Sequence, residues 1–203
     1  MITVAMTTRE AKTVYLALGT NLGNREANLG EALARIAALG LIVTRRSSIY
    51  ETEPVGYAAQ EWFLNQVIEA RMPYEEMHSD VKLALAAQCG VLLGELLRIE
   101  SAMGRRREIT NGPRAIDIDL LLCDGLAGTF CATGDGPLSI FWRAHQLPDL
   151  TLPHPRMHLR RFVLAPLAEI APAVIHPTLQ KTSAELLATL ADPAAVRLYA
   201  GAA

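Results

Sequence analysis

The run "AIDIDLLL", Ala115 to Leu122, constrains the fold more than any other part of this chain. Aliphatic and acidic residues alternate in it with a period of two, the period of a strand and not of a helix. Ile116, Ile118, Leu120 and Leu122 then share one face of that strand, and Asp117 and Asp119 share the other. A sheet that contains it must put the aliphatic face under helices and leave two carboxylates on the opposite side, their Cα atoms roughly 6.6 Å apart.

Order along the chain supplies the rest of the sheet. "TVYLALG" reads as a strand, "TNLGN" as a turn, and Leu29, Leu33 and Ile36 recur at helical spacing up to Gly40. "LIVTRRSSIYET" is a second strand, "EPVGYAAQ" a loop and "EWFLNQVIEAR" a third strand. Tyr74 to Met103 is helical, and Gly90 is expected to split or kink it. "MGRRREITNGPR" leads into the aspartate strand. After Asp124 the periodicity fades, and "GLAGTFCATGDGPLSIFWRAHQLPD" is expected to be an insertion or long loop, with Phe141 and Trp142 packing locally or covering a partner surface. A short strand, a proline-flanked turn, a helix ending near Pro172 and a last helix capped by Thr182 or Ser183 follow. The order β-α-β-β-α-β predicts an α+β, ferredoxin-like antiparallel sheet with helices on one face, plus C-terminal additions. One domain is expected over residues 1–203, with a leader at 1–12 and insertions within 77–91 and 126–146.

Composition narrows the partners. A net charge of −2 leaves no basic field to gather nucleic acid or anionic lipid, so any phosphate must be met by a local cluster. Cys89, Cys123 and Cys131 have neither CxxC spacing nor an even count, as expected of buried thiols in a reducing cytoplasm. Neither a signal-peptide core nor an apolar stretch of membrane-spanning length is visible, so a cytoplasmic location without a membrane partner is expected.

Two carboxylates roughly 5 Å apart repel by about 3 kcal/mol at an effective dielectric near 20, so the pair favours a bound cation, and oxygen ligands suit Mg²⁺. Solvation of an open sheet face is the commoner explanation of an isolated DxD pair. Its companions change the balance. Strand alternation puts Trp62, Leu64 and Ile68 on the helix side and Phe63 with Asn65 on the aspartate side, a floor for a flat heterocycle. Arg105, Arg106, Arg107 and Arg114 precede the aspartates, Arg160 and Arg161 follow, and arginine forks match phosphate oxygens. There is no P-loop or GxGxxG. His154 and His158 are spaced HxxxH, but Pro153 and Pro155 flank the first and no HExxH glutamate lies between, so zinc is not expected. His78, His145 and His176 are expected at the surface or in loops, and Ser47 and Ser48 lack a nucleophile elbow.

Together "YLALGTNLGNREANL", "SSIYETEPVG", "FLNQVIEA", "NGPRAIDIDLLL" and "LPHPRMHLRRFVLAPLAEIAP" resemble the 6-hydroxymethyl-7,8-dihydropterin pyrophosphokinase family of folate biosynthesis. The resemblance implies transfer of a pyrophosphoryl group from MgATP, as co-substrate, to the pterin hydroxymethyl, with release of AMP. It implies Asp117 and Asp119 as ligands of two Mg²⁺ ions and, with Arg105 and Arg114, as the catalytic set. Phe63, Phe162, Asn65 and the loop residues Thr52, Pro54, Val55 and Gly56 correspond to the pterin site. Glu100, Arg105, Arg107, Arg114, Ile118, Thr151, His154 and Arg160 correspond to the ATP site. Asn111 departs from the tryptophan common before Gly-Pro-Arg, and Leu159 from a commonly polar position. The partners implied are small molecules, with a monomer as one open expectation. A Mg²⁺-dependent phosphoryl or nucleotidyl transferase acting on another heterocyclic alcohol, or a silent nucleotide-binding relative, remain the alternatives.

Overall fold

A computed structural model describes residues 11–57, 59–74, 80–105 and 112–201. Its central strand, β1 (Ala11–Thr20), pairs antiparallel with β4 (Phe63–Pro73) on one side and with β5 (Asp117–Cys123) on the other. The far edge of β4 is shared. β2 (Ile42–Arg46) lies along Ile68 to Arg71, and β3 (Tyr50–Thr52) along Phe63 to Asn65. The stretch expected as one strand is thus two, because the link at Ser47 turns its side chain into the ladder. The Ser47 N–H donates to the Val67 carbonyl (2.9 Å), and its Oγ accepts the Val67 N–H (3.0 Å).

α1 (Arg25–Ala38) starts where the Asn24 side chain accepts the Ala27 N–H, and it buries Leu29, Ala32 and Ile36. It ends before Gly40, at φ +87°, a backbone region open to glycine without steric cost. α2 (Val81–Ala102) is one uninterrupted helix, contrary to the split expected at Gly90. Its glycine answers a packing demand instead. A Cβ there would stand 2.5 Å from the Trp142 ring. Together α1 and α2 cover Val14, Leu16, Leu18, Leu64, Ile68, Ile116, Ile118 and Leu120, and each fully buried side chain of this size contributes about 1.5–3 kcal/mol.

The ferredoxin-like α+β order is as read from the sequence, and the C-terminal additions complete it on the other face. There α4 (Arg161–Ile170) and α5 (Ser183–Thr189) pack on Tyr15, Val67, Leu121 and Leu122. Leu122 was expected on the α1–α2 side. Tyr15 pairs with Leu122 and Leu16 with Leu120, so Leu121 is an extra residue, a β-bulge that turns Leu122 over. The α5 cap is a full capping box of Thr182 and Glu185.

The segment expected as a loop is ordered. β6 (Gly128–Phe130) pairs with β7 (Leu150–Leu152), and α3 (Pro137–Ala144) between them presents Trp142, fully buried, to α2. The Trp142 indole N–H donates to the Pro148 carbonyl at 3.0 Å, so burial leaves it partnered. β8 (Ile175–His176) and β9 (Lys181–Thr182) form a short ribbon, and β10 (Val196–Leu198) adds to β3 at the sheet edge. His176 is buried, not at the surface, and meets the His158 ring edge-on at 5.6 Å, whereas His145 is exposed. Cys89 and Cys123 are buried thiols, but Cys131 is half-exposed. Arg106, Arg107, His78, Asn111 and most of the leader lie outside the described residues, as does the start of the insertion expected at 77–91.

Candidate active site

Beyond the bulge, the second face of β5 is free of α4, and Asp117 and Asp119 stand on it. Asp117 is shared between two arginines, Arg105 Nη1 at 2.6 Å from one oxygen and Arg114 Nη1 at 2.7 Å from the other. Asp119 is more loosely partnered, with Arg160 Nη1 at 3.7 Å and His154 Nε2 at 3.9 Å. Burial, and then the charge of Asp117, push the Asp119 carboxyl up to about 6. Arg160, Arg105 and Arg114 pull the other way and do not cancel the effect of burial and of the neighbouring carboxylate.

The arginines are themselves fixed by backbone. Glu100, buried on α2, accepts the Ile118 N–H at 2.7 Å and pairs with Arg105. Burial pushes the Glu100 carboxyl up to about 7, against the pull of Arg105 and of the Ile118 N–H. Arg114 is held by Asn21, which accepts the Arg114 N–H on Oδ1 (2.8 Å) and donates its own N–H to the Arg114 carbonyl (3.1 Å). The Asn21 amide also donates to Gln60 Oε1 and to the Glu61 carbonyl, tying the arginine segment to the loop before β4. The sequence reading passed over Asn21. Its only signal was its place in the turn "TNLGN" directly after β1.

On the same face the aromatics carry arginines. Arg114 lies 5.4 Å over the Phe63 ring, and Arg160 lies 5.4 Å over the Phe162 ring, distances suited to cation–π attraction. Asn65 is buried and donates from Nδ2 to Thr52 Oγ1 at 2.7 Å. Its Oδ1 rests against Gly19, where a Cβ would come within 2.8 Å. Gly19 is a second residue that sequence reasoning missed. Pro54, Val55 and Gly56 follow Thr52 in the loop, with Val55 exposed and Gly56 at φ +90°.

His154 is fixed by its N–H, which donates to the Leu121 carbonyl at 2.9 Å, so the bulged residue anchors the histidine beside Asp119. Burial, with Arg160 and Arg156 nearby, lowers it to about 4, leaving a neutral imidazole at neutral pH. Thr151 is exposed on β7 with its hydroxyl against Thr129, and the Ile118 N–H is occupied by Glu100. Arg161 turns away from the site, its N–H bonding Asp192 Oδ2 and its guanidinium the carbonyls of Asp192 and Leu190. The described residues thus form two neighbouring ion-paired groups, Arg105 and Arg114 on Asp117 and Arg160 on Asp119, with the neutral His154 beside Asp119 and with Phe63 and Phe162 attached through the arginines.

Two carboxylates, three guanidiniums and two aromatic rings on one side of an α+β antiparallel sheet are the groups that a transferase handling a polyphosphate, its cation and a flat heterocycle would need. Comparison with known proteins gives the family. The chain belongs to the 7,8-dihydro-6-hydroxymethylpterin-pyrophosphokinase (HPPK) family, whose model matches residues 15–172. It is 39% identical over 165 residues to the 2-amino-4-hydroxy-6-hydroxymethyldihydropteridine pyrophosphokinase of Bacillus subtilis, covering 79% of this chain and 78% of that one. It is 38% identical over 164 residues to the protein of that name from Methylorubrum extorquens, covering 79% and 84%. A solved HPPK-DHPS of Plasmodium falciparum shares the fold with a TM-score of 0.62 at 13% identity, covering 93% of this chain. The chain spans less than half, 47%, of that longer protein.

Proposed function

We propose that the residues gathered on the second face of β5 and β4 are the working site of this pyrophosphokinase. The enzyme transfers pyrophosphate from ATP to the hydroxymethyl group of 6-hydroxymethyl-7,8-dihydropterin in folate biosynthesis. The substrate hydroxyl gives up its proton to solvent as its oxygen attacks the β-phosphorus, the bond from that phosphorus to the α-phosphate oxygen breaks, and AMP departs. The chemistry asks the protein for position and charge rather than for a covalent intermediate.

Asp117 and Asp119 fit two Mg²⁺ ions, because Mg²⁺ is commonly held by one or two carboxylates completed by water and substrate phosphates. Asp117 and Asp119 would hold the ions, and a divalent cation bound there would supply positive charge to offset what develops on the phosphates and on AMP. Arg105, Arg114 and Arg160 face the same spot and neutralise the remaining phosphate charge. Phe63 and Phe162 sandwich the pterin, Asn65 reads its edge, and the loop from Thr52 through Pro54, Val55 and Gly56 closes around it. Glu100 and Ile118 set the pitch of the aspartate strand beside the nucleotide, which Thr151 and His154 also line, and the family resemblance adds Arg107, outside the described residues, to the same ligand.

The observation that carries this reading is Asp117 bridged by Arg105 and Arg114, with Asp119 and Arg160 one pleat away. The same reading takes residues 1–203 as one cytoplasmic domain with insertions within 77–91 and 126–146, and shortens the leader expected at 1–12, because Ala11 and Lys12 already belong to β1. Among the described residues no helix is long and apolar enough to cross a membrane. The test is a Mg²⁺-dependent assay with ATP and hydroxymethyldihydropterin. AMP and pyrophosphorylated pterin should appear in equal amounts and vanish with a chelator. ADP as product, or activity indifferent to the chelator, would refute the site assignment.

A further inference from the structure

The loop that carries Thr52, Pro54, Val55 and Gly56 starts beside Glu51 and ends at Trp62, and two arginines from outside it hold both ends. Arg25 of α1 donates from Nη1 to Glu51 Oε1 at 2.9 Å and to the Trp62 carbonyl at 2.8 Å. Arg197 of β10 donates from Nε and Nη2 to the other Glu51 oxygen at 3.1 and 2.6 Å, and its guanidinium lies 4.7 Å over the Trp62 ring. A planar guanidinium can bond a carboxylate along its edge and stack on an aromatic with its face at the same time, which an ammonium cannot.

The backbone makes the same connection. Val196 lies opposite Thr52 and Arg197 opposite Glu51. One residue further, the Glu53 N–H donates to the Ala195 carbonyl at 3.0 Å. The hydrogen bond from Arg197 is the largest influence holding the Glu51 carboxyl below its ordinary value, with Arg25 adding to it. Residues 195–199 lie outside the matched span of residues 15–172, yet they touch the strand whose Thr52 hydroxyl fixes the Asn65 amide.

We propose that β10, through Arg197, is a positioning element for dihydropterin binding. It sets Glu51 and Trp62, hence the two ends of the loop, and through Thr52 the orientation of Asn65. The inference rests on the assignment of Thr52, Phe63 and Asn65 to the pterin site, and the test separates the two. Edge-strand pairing that only stabilises the sheet has no reason to favour one substrate, whereas a loop clamp acts on the dihydropterin alone.

The full chain, Arg197→Ala, Arg197→Lys and Asn65→Ala are compared by KM for each substrate, kcat and thermal midpoint. Arg197→Ala should raise the dihydropterin KM roughly fivefold, as expected for an ion pair whose arginine is largely exposed, with kcat and the ATP KM unchanged. Arg197→Lys should recover part of that loss, since it keeps the charge opposite Glu51 but not the fork. Equal changes in both KM values, or no change in either, would overturn the clamp while leaving the site assignment standing if Asn65→Ala still weakens dihydropterin. An unchanged dihydropterin KM in Asn65→Ala would overturn the site assignment, and the clamp with it.

Discussion

The carboxylate of Glu100, on α2, accepts the backbone N–H of Ile118, the residue between the two aspartates, at 2.7 Å. One buried acid therefore sets the height of the strand that carries the acidic pair, and pairs with Arg105, which reaches Asp117.

Burial raises Glu100 from 4.5 to about 7 in the fold. A carboxyl raised on folding gives its stability fully below the unfolded value, and that contribution is lost as pH rises through the folded value. The wild type should lose stability relative to Glu100→Gln as pH climbs from 4.5 to about 7, and the amide keeps an oxygen for the Ile118 N–H. Urea unfolding of both proteins across that range checks it. Parallel pH profiles would show that Glu100 is ionised at no cost.

Asp117→Ala and Asp119→Ala should each lower kcat by roughly 10²–10³-fold or more, since both remove charge that matters most in the transition state. Neither side chain belongs to the two buried apolar clusters, so circular dichroism and melting should report an intact fold. Retained turnover, or unfolding of either variant, contradicts the role given to the pair.

At Gly19 an added methyl would stand 2.8 Å from Asn65 Oδ1. The amide must move, and a misplacement of this size can cost between about 10- and 100-fold in kcat/KM. Gly19→Ala should show that loss for dihydropterin with the ATP KM unchanged, measured by varying each substrate in turn. A loss confined to ATP would mean that Asn65 faces the wrong ligand.

Gly90→Ala should destabilise the protein by about 1–3 kcal/mol, because its Cβ would collide with Cζ2 and Cη2 of a fully buried Trp142. Trp142→Phe removes those atoms, so the double variant should be more stable than the sum of the single losses predicts. Chemical denaturation of the four proteins measures the coupling. Strict additivity would place the two residues out of contact.

The alternation of "IDIDLLL" was enough to place two carboxylates opposite a buried face, because a period of two survives wherever one side of a sheet is covered. It was not enough to find the bulge. A leucine at 121 or at 122 suits either face, so the pattern carries no mark of the slip. Gly90 misled for a related reason. Glycine lowers helix propensity, but the helix around it is stabilised by burial, and the contact that needs glycine comes from residue 142. Asn21, Gly19 and β10 were illegible for want of long-range information, since each matters through a partner tens of residues away or more. Arginine content alone did not show that Arg160 faces Asp119 while its neighbour Arg161 bonds Asp192.

Asp117 has a guanidinium on each of its oxygens. For a metal to take that carboxylate, Arg114 must find another anion while Arg105 keeps only Glu100, and for a triphosphate to take those arginines, Asp117 must find another cation. Metal and nucleotide each supply what the other displaces. Free Mg²⁺ or metal-free ATP would leave half of the exchanged ions without a counterion, so the two should enter as one species, and each should sharpen the apparent affinity of the other. On the proposed assignment the resting ion pairs would act as a coincidence detector, answering to the complex more than to either component.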